Sequence, residues 1–181
     1  MKLSKPNIHL RWPGLVAVIV ALGACMQDST TDQVKEVNAC SLLSREDIAL
    51  TINGVVGDSY RQDTGWLTSE EQAGVYSSTC VWPLSTGNVG DLEYVILMAM
   101  TWPPDKSPDH FLQEFRTSAA HGIISQEPVT LKLGDSALWW GDGVAVTKNQ
   151  ISIGVSTRLA GEKERRRTAE EALASIVVSR L

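Results

Sequence analysis

The sequence predicts an α+β domain: a mostly antiparallel sheet of about five or six strands packed with helices, in the order α-β-β-α-β-β-β-α. Three observations lead there. Apolar residues recur at period two in some segments and near 3.6 in others, interspersed along residues 40–181. Most strand-like segments are joined by short turn-forming links, which suit hairpins rather than crossovers. One of them, Leu92 to Trp102, is apolar on both faces and so requires a central place with cover on each side.

The first helix is expected over 45–53. Ser44 is positioned to cap it, Asp47 sits where the capping-box acid belongs, and Leu43 with Ile48 fits a hydrophobic staple. Gly54 supplies a stop. Residues 57–77 are polar, contain three glycines and show no sustained period, so they read as a long loop carrying Trp66 and Tyr76. Ser78 to Leu84 reads as a strand with Cys80, Trp82 and Leu84 on one face. The segment STGNVGD then suits a hairpin turn into the strand at 92–102, which Pro103-Pro104 ends.

Ser107-Pro108-Asp109 opens a second helix as cap, proline and first-turn acid, with Phe111, Leu112, Phe115 and Ala119 as its apolar stripe and Gly122 after it. Three or four strands follow: Val129 to Leu133, Ala137 to Trp140, Val144 to Val146 and Ile151 to Val155, the last pair turning at Asn149-Gln150. From Glu162 a final helix buries Ala169, Leu173, Ile176, Val177 and Leu181. Its charged residues, Glu162, Glu164, Arg165, Arg166, Arg167, Glu170 and Glu171, are assigned to the solvated side.

The first 24 residues read as a leader rather than as part of the domain. Lys2, Lys5 and Arg11 precede an eleven-residue apolar run, Gly14 to Ala24. That run is too short to span a bilayer and fits a signal-peptide core. It ends Leu22-Gly23-Ala24-Cys25, where small residues precede a cysteine whose thiol can take a thioether-linked lipid. The alternative is ordinary cleavage that leaves a free thiol, which Leu22 fits poorly. Lipidation at Cys25 makes residues 25–39 a flexible tether and 40–181 the domain. Two or more acyl chains would then hold the protein to a membrane. In a Gram-negative host Met26, in place of Asp, points to the outer membrane facing the periplasm.

Cleavage before Cys25 removes three of 16 basic residues and none of 21 acids, which moves the net charge from −5 to −8. Such a chain is repelled by nucleic acid, so no nucleic-acid partner is expected. Export also exposes the remaining Cys40 and Cys80 to oxidation, and one disulfide accounts for both. The rival reading is two metal-ligand thiols, but there is no CxxC and neither His110 nor His121 lies at finger spacing. No metal or cofactor is expected. No GxSxG, HExxH, P-loop or GxGxxG occurs, and the domain is not expected to be an enzyme. The candidate binding residues are aromatic: Trp66, Tyr76, Trp139 and Trp140. The two adjacent tryptophans must point to opposite faces if they lie in a strand.

Cys40-Ser41-Leu42-Leu43, the capped helix ending at Gly54, Thr79-Cys80-Val81-Trp82, Gly134-Asp135-Ser136-Ala137 and a C-terminal helix occur in that order. Together they resemble a family of small secreted bacterial lipoproteins of unknown function, known mainly from actinobacteria. The resemblance covers about 40–181, apart from the acidic stretch at 63–71. It implies a disulfide-tied α+β lipoprotein domain without established catalytic residues. The function expected is a membrane-anchored envelope domain that binds a protein partner or small ligand. The alternative is an envelope hydrolase whose site assembles only in three dimensions, and a third reading is a stress or assembly factor acting through the 57–77 loop.

Overall fold

The computed structural model describes residues 34–85, 93–159 and 163–181. The expected signal peptide, Cys25, the first part of the tether and most of the STGNVGD turn lie outside the described residues. The chain is α+β, as predicted. After a 3-10 turn at Ala39–Ser41 come α1 (Arg45–Ile52), β1 (Val55–Val56), β2 (Tyr60–Trp66), β3 (Tyr76–Ser85), β4 (Glu93–Thr101) and α2 (Asp109–Ala120). Then follow β5 (Val129–Leu131), β6 (Ser136–Trp139), β7 (Val144–Lys148), β8 (Ile151–Arg158) and α3 (Lys163–Arg180).

Among the described residues the sheet has eight strands, ordered β1-β3-β4-β8-β7-β6-β5, with β2 also on β3, and every pairing there is antiparallel. This corrects the expected count of five or six and the expected element order. Of the two strands not expected, β2 lies within 57–77, read as loop, and β1 lies just before it. β1 has only two residues, too few for a period. β2 is an edge strand whose alternation is broken by a bulge between Gln62 and Gly65. The last four strands meander back to pair β8 with β4.

Local signals explain most boundaries. At α1 the Ser44 hydroxyl accepts from the Asp47 N–H at 3.1 Å, and the Asp47 carboxylate accepts from the Ser44 N–H at 2.8 Å. The helix stops one residue earlier than expected, because Asn53 takes the left-handed conformation at φ 53°. At α2 Pro108 precedes the helix rather than starting it, and the Ser107 hydroxyl accepts from the Asp109 N–H at 3.3 Å. Asn149 turns the β7–β8 hairpin at φ 53°. Its N–H donates to the Asp135 carboxylate at 2.7 Å. Gly134, at φ 59°, lies so close to the Thr147 carbonyl that a Cβ there would come within 2.5 Å. The Gly-Asp pair is therefore a backbone device that locks β6 against the β7–β8 turn.

Register divides the core. Val95, Leu97 and Ala99 of β4 share a face with Cys80, Trp82, Val144, Val146, Ile153 and Val155. α1, α3 and the 3-10 segment cover it through Ile48, Leu173, Val177 and Ala39. Met98 and Met100 point the other way, where α2 lays Phe111, Leu112 and Phe115 over Leu138 and Ala145. Gly154 on β8 leaves room for Phe111, whose ring would approach an added Cβ to 3.3 Å. Cys40 and Cys80 form the expected disulfide, with Cα atoms 5.1 Å apart. It fastens the segment before α1 to the middle of the sheet, and closing a loop of that length is worth about 4 kcal/mol in the chain-entropy picture.

α1 and α3 are joined by one strong ion pair. Arg180 donates from both terminal nitrogens to Asp47, at 2.7 and 2.9 Å, and also to the Leu42 carbonyl at 2.8 Å. The guanidinium hydrogen bond holds the Asp47 carboxyl at about 2, below its ordinary 3.8. The unfolded chain therefore binds the extra proton between these values, and stability rises with pH there. The shift amounts to about 2 kcal/mol at most, and partial exposure of the pair trims it toward 1. We predict that this stability is complete above pH 4 and lost as pH falls through about 2. Asp47→Asn should flatten that part of the pH profile in urea titrations.

Candidate functional site

The β2 bulge decides where Trp66 points. Without the extra residue Trp66 would face away from Arg61. With it, Trp66 pairs opposite Tyr76 on the face that carries Arg61. The two rings meet edge to face at 5.2 Å, and Arg61 donates to the Tyr76 hydroxyl at 2.7 Å. Tyr76 is buried, whereas Trp66 is 49% exposed. The link between β2 and β3 is a short, tied loop. Leu67 and Val75 close it at 2.8 Å, Gln72 reaches Glu114 of α2 at 3.3 Å, and Lys106 donates to the Glu71 carbonyl at 3.0 Å. The expected long loop at 57–77 is thus a strand and a held hairpin.

Trp139 and Trp140 part as adjacent strand residues must. Trp139 lies in the α1–α3 core at 3% exposure. Its indole N–H donates to Glu170 at 3.0 Å, and Lys163 and Arg167 stand 5.0 and 4.8 Å from its ring centroid. Lys163 also donates to Gln126. Trp140, half-buried, stacks on Phe115 with centroids 4.3 Å apart. It folds back over Gly143, where any Cβ would come within 2.4 Å of the indole.

The four aromatic candidates do not converge. Trp66 and Tyr76 form one group on β2 and β3, and Trp139 and Trp140 another at the end of β6. Strands β4, β8 and β7 lie between β3 and β6, so β2 and β6 are about 24 Å apart at ordinary strand spacing. Tyr76 and Trp139 are core residues by burial, which leaves Trp66 as the most exposed of the four.

Glu170, expected on the solvated side of the last helix, is instead fully buried. Its spacing of three from Leu173 and seven from Val177 puts it on the apolar stripe, and that was the available signal. One carboxylate oxygen accepts from Trp139, and the other accepts from the Thr157 N–H and hydroxyl at 3.1 and 3.0 Å. Burial pushes its pKa up, the bonds from Trp139 and Thr157 act against that, and nearby Arg166 adds a smaller pull downward. The donors occupy both oxygens and the site is closed, so Glu170 holds α3 on the sheet.

His110 lies 3.8 Å from Glu114, and His121 caps the end of α2 with its Nδ1 2.9 Å from the Thr117 carbonyl. Among the described residues, no group of three or more His, Cys, Asp and Glu side chains is placed to hold a metal ion. Nor is any helix long and apolar enough to cross a membrane among them. No family model, curated protein or solved structure matches the chain.

Glu170→Ala should leave the Trp139 and Thr157 donors buried without acceptors. The expected cost is about 3 kcal/mol, which lowers the melting temperature by about 10 °C for a domain of this size. Thermal unfolding followed by tryptophan fluorescence checks it.

Proposed function

We propose that the chain is a lipid-anchored cell-envelope protein whose α+β domain binds a protein partner or small ligand and performs no chemistry of its own. The observation that carries this reading is the pairing of cysteines. A disulfide between half-buried Cys40 and buried Cys80 fits an oxidising compartment, and it leaves Cys25 as the one thiol free for lipid at the end of the leader. The resemblance of the ordered motifs to secreted bacterial lipoproteins points the same way. In this reading the lipid holds the protein to the membrane, and the acidic domain sits close to it. The tether from Cys25 to Val37, the first buried residue among those described, is twelve residues long, a reach of about 40 Å at full extension. In a Gram-negative host the location is the outer membrane, facing the periplasm.

Trp66, exposed beside the buried Tyr76, is the residue we assign to partner contact, because solvent-facing aromatic side chains concentrate binding energy. The anchor has a direct test. Cells expressing the full chain should incorporate labelled palmitate into it, and Cys25→Ser should abolish the label while leaving the Cys40–Cys80 bond intact. Equal labelling of both forms would refute the anchor.

A further inference from the structure

The most exposed large apolar side chain among the described residues lies on α1. Leu50 is 85% exposed and Val55, just beyond the helix, 66%. Neither belongs to the Trp66 group. Helical spacing puts Leu50 one turn from Glu46 on the outer face of α1. On each side of that face is a cleft. One, of about 340 Å³, is lined by Ile52, Leu159, Ala169 and Ala172 together with Thr51, Thr168 and Arg165. The other, of about 350 Å³, runs along Glu46, Ala49 and Val55. Glu46 and Arg165 are both exposed. Neither has a hydrogen-bond or ion-pair partner among the described residues.

We infer that this face docks a second copy of the chain. The surface carries a projecting leucine, a partly apolar cleft beside it, and an acid and a base, Glu46 and Arg165, without side-chain partners among the described residues. α1 runs antiparallel to α3, since Asp47 meets Arg180 and Ile52 lines a cleft with Ala169. Glu46 therefore precedes Leu50 along α1, and Arg165 lies beyond it. A two-fold axis between Leu50 and the first cleft reverses that order in the mate. Leu50 of each copy then enters the cleft of the other, and Glu46 faces the partner's Arg165. Self-complementarity of this kind is what an isologous interface requires. A heterologous partner would need neither the matched charges nor the knob beside its own hole. The patch is small, so the dimer is weak in dilute solution and favoured where copies are concentrated. The inference does not depend on the lipid anchor.

The test uses two differently tagged full-length chains expressed together, one carrying Leu50→Cys and the other Ala172→Cys. Oxidation should link the two into a heterodimer on a non-reducing gel, whereas Leu50→Cys paired with Ile123→Cys should not link above the background of the parent chain. Glu46→Arg or Arg165→Glu, added to both chains, should each lower the linked fraction about tenfold, since two like-charge contacts replace two ion pairs per dimer. The two changes combined should restore it. Because all these positions are exposed, melting temperatures should stay at the parent value. Linkage no greater for Ala172→Cys than for Ile123→Cys, or failure of the double charge swap to restore it, would overturn the inference. Loss of palmitate label at Cys25 would leave it standing.

Discussion

Strand β4 lies between β3 and β8 with apolar side chains on both faces, and both must be kept from water. Val95, Leu97 and Ala99 face one way, Met98 and Met100 the other. A sheet with such a strand at its centre cannot be stable with helices on one side alone. α1, α3 and the stapled 3-10 turn meet the first demand, and α2 the second. The long return from β4 through α2 to the far edge follows from it: the chain must cross the second face before β5 to β8 can close on β4. Polar ties then fix what apolar packing leaves loose. Arg180 joins α3 to the capping residue of α1, and Glu170 joins α3 to β6 and β8 through donors that would otherwise be buried unpaired. The first tie is partly solvated and sensitive to acid. The second is dry.

Legibility in the sequence followed the length of each signal. The cap at Ser44, the doubly apolar strand at 92–102 and the stripe of α2 were readable, because each needs several residues of a fixed kind at fixed spacing, whereas the pairing of Cys40 with Cys80 followed from the cysteine count and export. β1 and β2 were not. Two residues carry no period, and the bulge after Gln62 shifts the alternation of β2 midway, so its halves cancel. Glu170 was lost for a different reason. Charge outweighed spacing in placing it, although its position relative to Leu173 and Val177 was the better guide. The candidate site was legible only in part. Adjacent tryptophans had to separate, and they do, but which of the pair becomes core depends on the partner strands. Nothing local to Tyr76 marks it as buried, since its burial comes from a β2 that sequence periodicity did not reveal.

The aromatic residues and the charged residues thus have distinct roles in this fold. Most of the indoles are structural: Trp82 and Trp102 are buried in the two cores, and Trp139 is fixed by a buried carboxylate. Trp102 donates to Ser152 at 2.7 Å across the β4–β8 boundary. Among the described residues, Trp66 at one edge and Leu50 on α1 are among the large apolar side chains left facing solvent, with Tyr60, Val55, Ile123 and Val129. Trp66 and Leu50 are the two to which we assign contacts with a partner and with a second copy.

Burial of β4 and β8 on both faces holds the domain together. Native-state hydrogen exchange with the Cys40–Cys80 bond intact checks this. Amides of β4 and β8 should exchange only through global unfolding, with a free energy equal to that from denaturant titration, while amides of α2 exchange through a smaller opening that leaves the sheet paired. Amides of β4 exchanging more readily than those of α2 would contradict it.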